Sequence, residues 1–147
     1  MGRRASQDSH REFARELGAL SHGRAEKAAR YALIVDDDVD FCTIMREMLK
    51  WGGFETRIAH SAADALYSLE QIDPDVMLID IAMPNVDGLD LVRELRSDEK
   101  FANTPIIMVT ARAIREMLEA SEEAGADSFL TKPVSLYELT RTIDKLM

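Results

Sequence analysis

A small set of residues at regular intervals along the chain has the right chemistry to handle phosphate. Asp36 and Asp37 follow one short apolar run, Asp80 a second, Thr110 a third, and Lys132 a fourth. Three carboxylates drawn together repel one another unless a cation lies among them. All-oxygen ligands favour a hard divalent ion, and magnesium keeps waters that leave positions free for a phosphoryl oxygen. In such a cluster one carboxylate is the nucleophile. The metal and the Lys132 ammonium offset charge that develops during in-line transfer, and the Thr110 hydroxyl donates a hydrogen bond. Taken singly, each residue has a plainer reading. An Asp pair after a strand can be a helix N-cap, a Thr at a strand end is commonly structural, and a Lys before Pro133 is commonly a solvated loop cation. Chance would rarely place all four at consecutive rim positions of one sheet.

The elements that must position them can be read from the pattern of apolar residues. Tyr31–Val35 is an apolar run of strand length ending at Asp36-Asp37-Asp38. Phe41, Ile44, Met45, Met48 and Leu49 recur at helical spacing until Gly52-Gly53. Phe54–Ala59 reads as a second strand, and Ser61 as the N-cap of a helix over Ala62–Gln71. The strand Val76–Ile79 ends in Asp80, and Leu89–Arg96 forms the next helix. The strand Ile106–Val109 ends in Thr110, and a helix over Arg112–Ala124 is broken by Gly125. Ser128–Thr131 is the fifth strand, ending at Lys132-Pro133, and Ser135–Lys145 is the last helix. Strands alternating with helices predict an α/β fold, a doubly wound five-stranded parallel sheet of flavodoxin-like (βα)5 type. The more polar second strand, with Glu55, Thr56 and Arg57, belongs at an edge. The order 2-1-3-4-5 opens the ligand crevice at the C-terminal ends of strands one and three.

Composition narrows the function classes. The chain has 147 residues, 46% hydrophobic and 31% charged, the balance of one compact domain with a short appendage. No apolar run approaches the roughly 18–20 residues of a membrane span. The N-terminal arginines lack an apolar segment behind them, so a secretory signal is not expected. Cys42 is the single cysteine and cannot form an internal disulfide, which agrees with a cytoplasmic location. Residues 1–30 carry about +3 and residues 31–147 about −12, within a net charge of −9. An acidic body repels phosphate backbones and argues against direct nucleic-acid binding. The division is therefore an N-terminal extension, residues 1–30, partly helical or flexible, and a main domain over residues 31–147.

Four segments carry a family resemblance: Leu33–Asp38 (LIVDDD), Met77–Gly88 (MLIDIAMPNVDG), Pro105–Ala111 (PIIMVTA) and Ala124–Pro133 (AGADSFLTKP). The chain from Tyr31 to Met147 resembles a response-regulator receiver domain of two-component systems, of the single-domain, chemotaxis-regulator-like kind. The resemblance implies that Asp80 is the phosphoacceptor, fed by a histidine kinase or a histidine phosphotransfer protein. It implies a magnesium site made by Asp37, Asp80 and the backbone carbonyl of Ala82, with Asp36 acting mainly through water. Lys132 would pair with the phosphate, and Lys132-Pro133 would be a cis peptide. Phosphoryl oxygens would draw in Thr110 and let the aromatic Phe129 rotate into the vacated space. The surface spanning residues 112–145 would then be read by a downstream protein, with a phosphorylation-dependent dimer among the outcomes. Phe129 has no hydroxyl, so it cannot make the hydrogen bond a tyrosine would make there. Ala82 and Arg112 flank the path of hydrolytic water in this family, and together they imply an intermediate lifetime for the phosphoryl group.

Two other readings compete. Asp36-Asp37-Asp38-Val39 also resembles the opening of haloacid-dehalogenase-like phosphatases, which would make Asp36 the nucleophile and Asp38 the general acid/base. Such enzymes need a further acidic metal ligand after the lysine, where this chain offers only Glu138 and Asp144 in a helix. The other is a receiver-fold binding module that works without phosphorylation. The favoured reading is a signalling switch and not an enzyme, beyond self-catalysed phosphoryl transfer and autodephosphorylation. With no output domain read after the last helix, it would signal through protein–protein contacts. In the extension, Arg3-Arg4-Ala5-Ser6 resembles a basophilic kinase site, and His10 and His22 lack the surroundings of a phosphohistidine. Phe13, Leu17 and Leu20 form one apolar stripe at i, i+4, i+7, on a stretch weakened as a helix by Gly18 and Gly23.

Overall fold

The computed structural model describes residues 30–83, 87–112 and 114–147. Five parallel strands, β1 (Arg30–Val35), β2 (Phe54–Ala59), β3 (Val76–Asp80), β4 (Ile106–Thr110) and β5 (Ser128–Thr131), form one sheet in the order β2-β1-β3-β4-β5. Among the described residues five helices connect and flank them: α1 (Val39–Trp51), α2 (Ala62–Leu69), α3 (Gly88–Ser97), α4 (Arg115–Ala124) and α5 (Leu136–Leu146). A 3-10 turn at Glu99–Phe101, not anticipated from sequence, follows α3.

The apolar strands are buried on both faces because successive side chains alternate between two cores. Ala32, Ile34, Val76, Leu78, Ile107 and Val109 point to the side covered by α1 and α5, with Met45, Leu49, Leu139 and Ile143. Leu33, Val35, Met77, Ile79, Ile106 and Met108 point to the side covered by α2, α3 and α4, with Leu69, Leu91, Leu95 and Ala124. Each fully buried aliphatic side chain contributes about 1.5–3 kcal/mol, so these central strands are the rigid frame of the molecule. β2 lies at an edge as its polar residues predicted, and Glu55 is exposed.

Helix ends follow local chemistry. Asp38 caps α1 by accepting the Phe41 N–H, Ser61 caps α2 by accepting the Asp64 N–H, and Ser135 caps α5 by accepting the Glu138 N–H. Gly125 ends α4 at φ 111°, a left-handed conformation that a side chain disfavours. Several boundaries differ from the sequence reading. β1 begins at Arg30, which lies in register with Phe54, one residue before the boundary set at Tyr31. α2 stops at Leu69, because the Gln71 N–H turns back to the Ser68 carbonyl. α4 begins at Arg115, not Arg112. The Arg112 N–H donates to Thr110 Oγ1 in a local turn, and Ile114 at the N-cap offers no capping side chain. Among the described residues no helix is long and apolar enough to cross a membrane. The N-terminal stripe, the kinase-like site and His10 and His22 lie outside the described residues.

Candidate functional site

The parallel sheet delivers the four strand ends to one rim. Asp36 follows β1, Asp80 ends β3, Thr110 ends β4 and Lys132 follows β5. The Lys132 N–H donates to the Thr110 carbonyl at 2.8 Å, which continues the β4–β5 ladder to the residue that carries the ammonium. The Lys132–Pro133 peptide is cis. Carboxylate oxygens of Asp36, Asp37 and Asp80 all lie within 4.8 Å of one another. Asp36 and Asp80 are buried, at 1% and 6% exposure, whereas Asp37 is open to solvent.

Each side chain is held by neighbours that the fold supplies. Asp36 Oδ1 accepts the Asp38 N–H at 2.9 Å, and its Oδ2 lies 2.7 Å from Lys132 Nζ. The same ammonium is 3.8 Å from Asp80 Oδ2, so one cation sits between two nearly inaccessible carboxylates. It also lies 4.3 Å from the centre of the Phe41 ring, within cation–π range. Phe41 reads in sequence only as part of the apolar face of α1, and nothing local to it reports a lysine ninety residues later. Asp38 turned out to be the α1 cap, so the preceding Asp pair is not used for capping. The Asp36 carbonyl accepts from Cys42 Sγ, and His60 Nδ1 lies 2.9 Å from it. Burial, followed by the charge of Asp36, pushes the Cys42 thiol up to about 12, which keeps it protonated and inert.

The electrostatics are unbalanced in one direction. Burial first, then the Asp36 charge, raises the Asp80 carboxyl from 3.8 to about 7. Lys132 and a hydrogen bond from the Ala82 N–H offset only part of this. Burial acts to lower the Lys132 ammonium, but the hydrogen bond and charge of Asp36, with Asp80 and Asp38, outweigh it, and the net shift is upward. Three clustered carboxylates, two of them paired with one ammonium, leave a deficit of positive charge. A hard, oxygen-seeking divalent cation suits that donor set.

Thr110 is buried, and its Oγ1 accepts the Arg112 N–H at 3.2 Å. Among the described residues the Thr110 hydroxyl has no stronger acceptor than Met117 Sδ at 4.0 Å, so it is available to a new oxygen in the crevice. Phe129 is half-buried on β5 opposite Met108 and packs against the core on the α2–α4 side. A groove of about 430 Å3, lined in part by Leu118, Ser121, Ala126 and Phe129, opens beside it. Ala82 and Arg112 are both exposed, two residues beyond Asp80 and Thr110 respectively. Gly88, the start of α3, passes so close to the Asp80 backbone that an added Cβ would meet its carbonyl oxygen at 1.9 Å. The Gly88 N–H donates to the Ile81 carbonyl at 2.8 Å, tying the helix start to the residue after Asp80.

A family model described as the response regulator receiver domain matches residues 32–144. The transcriptional regulatory protein TrcR of Mycobacterium tuberculosis is 32% identical over 124 residues, which are 84% of this chain and 48% of that protein. The chain thus spans about half the length of the curated relatives it matches. Among solved structures, the chemotaxis protein CheY4 of Vibrio cholerae superposes with a TM-score of 0.77 at 27% identity. The match covers 82% of this chain and all of that one. The receiver domain of a sensor histidine kinase from Pseudomonas aeruginosa superposes with a TM-score of 0.74 at 30% identity, covering 81% of this chain and 98% of that one. That structure has a magnesium ion coordinated in its active site cleft.

Proposed function

The chain belongs to the response regulator receiver domain family, and from that premise we propose that Asp80 is the residue that takes up the phosphoryl group. A receiver domain is a phosphorylation-dependent switch in two-component signalling. The observation that supports Asp80 here is the carboxylate trio within 4.8 Å, bridged on its inner side by Lys132. An Asp80 oxygen forms a bond to phosphorus as the bond from phosphorus to the donor breaks, and the leaving group departs with its electron pair. Asp36, Asp37 and Asp80, with the Ala82 carbonyl, would hold magnesium. The bound ion supplies charge neutralisation to the transferring group. Lys132 moves from sharing two carboxylates to pairing with a phosphoryl oxygen, and the uncommitted Thr110 proton is donated to another.

Drawing Thr110 toward the phosphoryl group removes it from the side on which Phe129 packs, so the ring is free to turn inward. That movement alters the groove between α4 and β5, within the 112–145 surface to which we assign the downstream protein contact. The donor is a histidine kinase or a phosphotransfer protein. Ala82 offers no bulk over the phosphoryl group and Arg112 can reach across it, so the lifetime is intermediate. Asp36 as a nucleophile, on the phosphatase pattern, is disfavoured because its carboxylate is already engaged by Lys132 and the Asp38 N–H.

The test is intact mass after incubation with magnesium and a small acyl-phosphate donor. A gain of one phosphoryl mass in the wild type but not in Asp80→Asn supports the assignment. No gain in a folded wild type favours a phosphorylation-independent binding module, and gain in both proteins returns attention to Asp36.

A further inference from the structure

The outer side of α1, away from the carboxylate crevice, is more apolar than a solvent-facing helix requires. Ile44 is 53% exposed and Trp51 is 43% exposed, and with Met48 they follow one another at i, i+4, i+7. Together with Thr43, Glu47 and Leu136 at the start of α5, they line a groove of about 460 Å3. Burying such a row stabilises a protein by removing apolar area from water, at about 25 cal/mol per Å2.

Residues 1–29 lie outside the described part and contain a stripe of the same spacing, Phe13, Leu17 and Leu20. Over seven residues a helix rises about 10 Å, so the two rows match in length as well as in phase. The chain also enters in the right place. Arg30 shares the parity of Ala32 and Ile34, which face α1 and α5, and its guanidinium lies 6.0 Å from the Phe54 ring on that same face. Arg30 is in register with Phe54, only three residues beyond Trp51. The nine residues from Ser21 to Ala29 reach up to roughly 30 Å, enough to place the stripe along α1 in either direction. Charge favours the encounter, since residues 1–29 carry about +2 and residues 30–147 about −11.

We propose that the segment around Phe13, Leu17 and Leu20 docks as a helix in the groove formed by Ile44, Met48, Trp51 and Leu136 of the same chain. Tethering makes this an intramolecular event with an effective concentration in the millimolar range, so a short and weak helix suffices. The docked segment competes with any partner that approaches the outer face of α1. The ordering of Phe13, Leu17 and Leu20 against the groove also offsets the helix weakness caused by Gly18 and Gly23.

Trp51 is the single tryptophan, so its fluorescence reports the groove without ambiguity. The full chain is compared with the full-length variant Phe13→Asp/Leu17→Asp, both checked for a native thermal transition. Docking predicts that the variant shifts Trp51 emission to the red and raises its acrylamide quenching constant, by the same amount at every protein concentration. Equal emission and quenching in the two proteins would overturn the proposal. Protection that grows with protein concentration would assign the groove to a second copy and overturn the intramolecular arrangement. A second readout leaves the tail intact: Ile44→Asp should speed tryptic cleavage after Arg15, which lies within the stripe. An unchanged cleavage rate would count against docking.

Discussion

Replacing Asp80 with Asn should make the metal-free protein more stable at pH 7.5, although it removes the residue proposed to take up the phosphoryl group. Asp80 is 6% exposed, and its carboxyl is raised from 3.8 to about 7, first by burial and then by Asp36. A folded-state pKa above the unfolded value means that the folded protein holds this proton more tightly. The associated stability is fully present below about pH 4 and is lost as the pH rises through 7. Each pKa unit corresponds to about 1.4 kcal/mol, so the displacement bounds the cost of the carboxylate at about 4 kcal/mol. Solvent reaches the rim beside the exposed Asp37, and screening there reduces the expected gain from Asn to roughly 1–2 kcal/mol. For a domain of this size that is a rise in Tm of roughly 3–8 °C. The assay is thermal unfolding of both proteins in chelator at pH 7.5 and pH 5, then with millimolar magnesium. The gain should shrink at pH 5, where the wild-type carboxyl is protonated. Magnesium should stabilise the wild type more than the variant, because a carboxylate is the better ligand. An Asn variant less stable than wild type in chelator, or an equal magnesium effect on both, would refute the electrostatic account of the crevice.

Several residues outside the carboxylate trio hold the site in place. Phe41→Leu keeps an apolar side chain but removes the ring beneath the Lys132 ammonium. A cation–π contact of about 0.5–2 kcal/mol is lost, so acyl-phosphate labelling should slow several-fold and Tm should fall by roughly 2–8 °C. Gly88→Ala forces a Cβ against the Asp80 carbonyl, and should cost about 1–3 kcal/mol in denaturant unfolding and weaken magnesium stabilisation as well. Arg96→Ala removes a guanidinium that donates to the carbonyls of Phe101, Thr104 and Gly125 and pairs with Asp127 at 2.8 Å. It should lower unfolding free energy by about 2–4 kcal/mol in urea while leaving labelling of the folded protein unchanged.

The sequence alone determined which elements form, because the signals for them are local. Apolar runs of strand length, Ser61 and Ser135 ahead of helical patterns, and Gly125 after one act over a few residues and are legible one at a time. The alternation of strands and helices then restricts the topology to a parallel sheet, and a parallel sheet must carry Asp36, Asp80, Thr110 and Lys132 to one rim. The start of α4 was misplaced at Arg112 because the competing signal, a turn closed on the Thr110 hydroxyl, depends on where that side chain points.

How charge is shared in the crevice follows from packing between distant segments. That Lys132 leans on Asp36 at 2.7 Å and on Asp80 at 3.8 Å is a matter of side-chain placement across β1, β3 and β5. The same holds for the Phe41 ring under the ammonium and for Arg96 joining the ends of α3 and α4. These contacts link residues from about thirty to more than ninety positions apart. Their strength comes from distance and burial, which spacing along the chain does not encode. Residue types and order establish what chemistry the rim can do, and packing establishes which carboxylate bears the unbalanced charge.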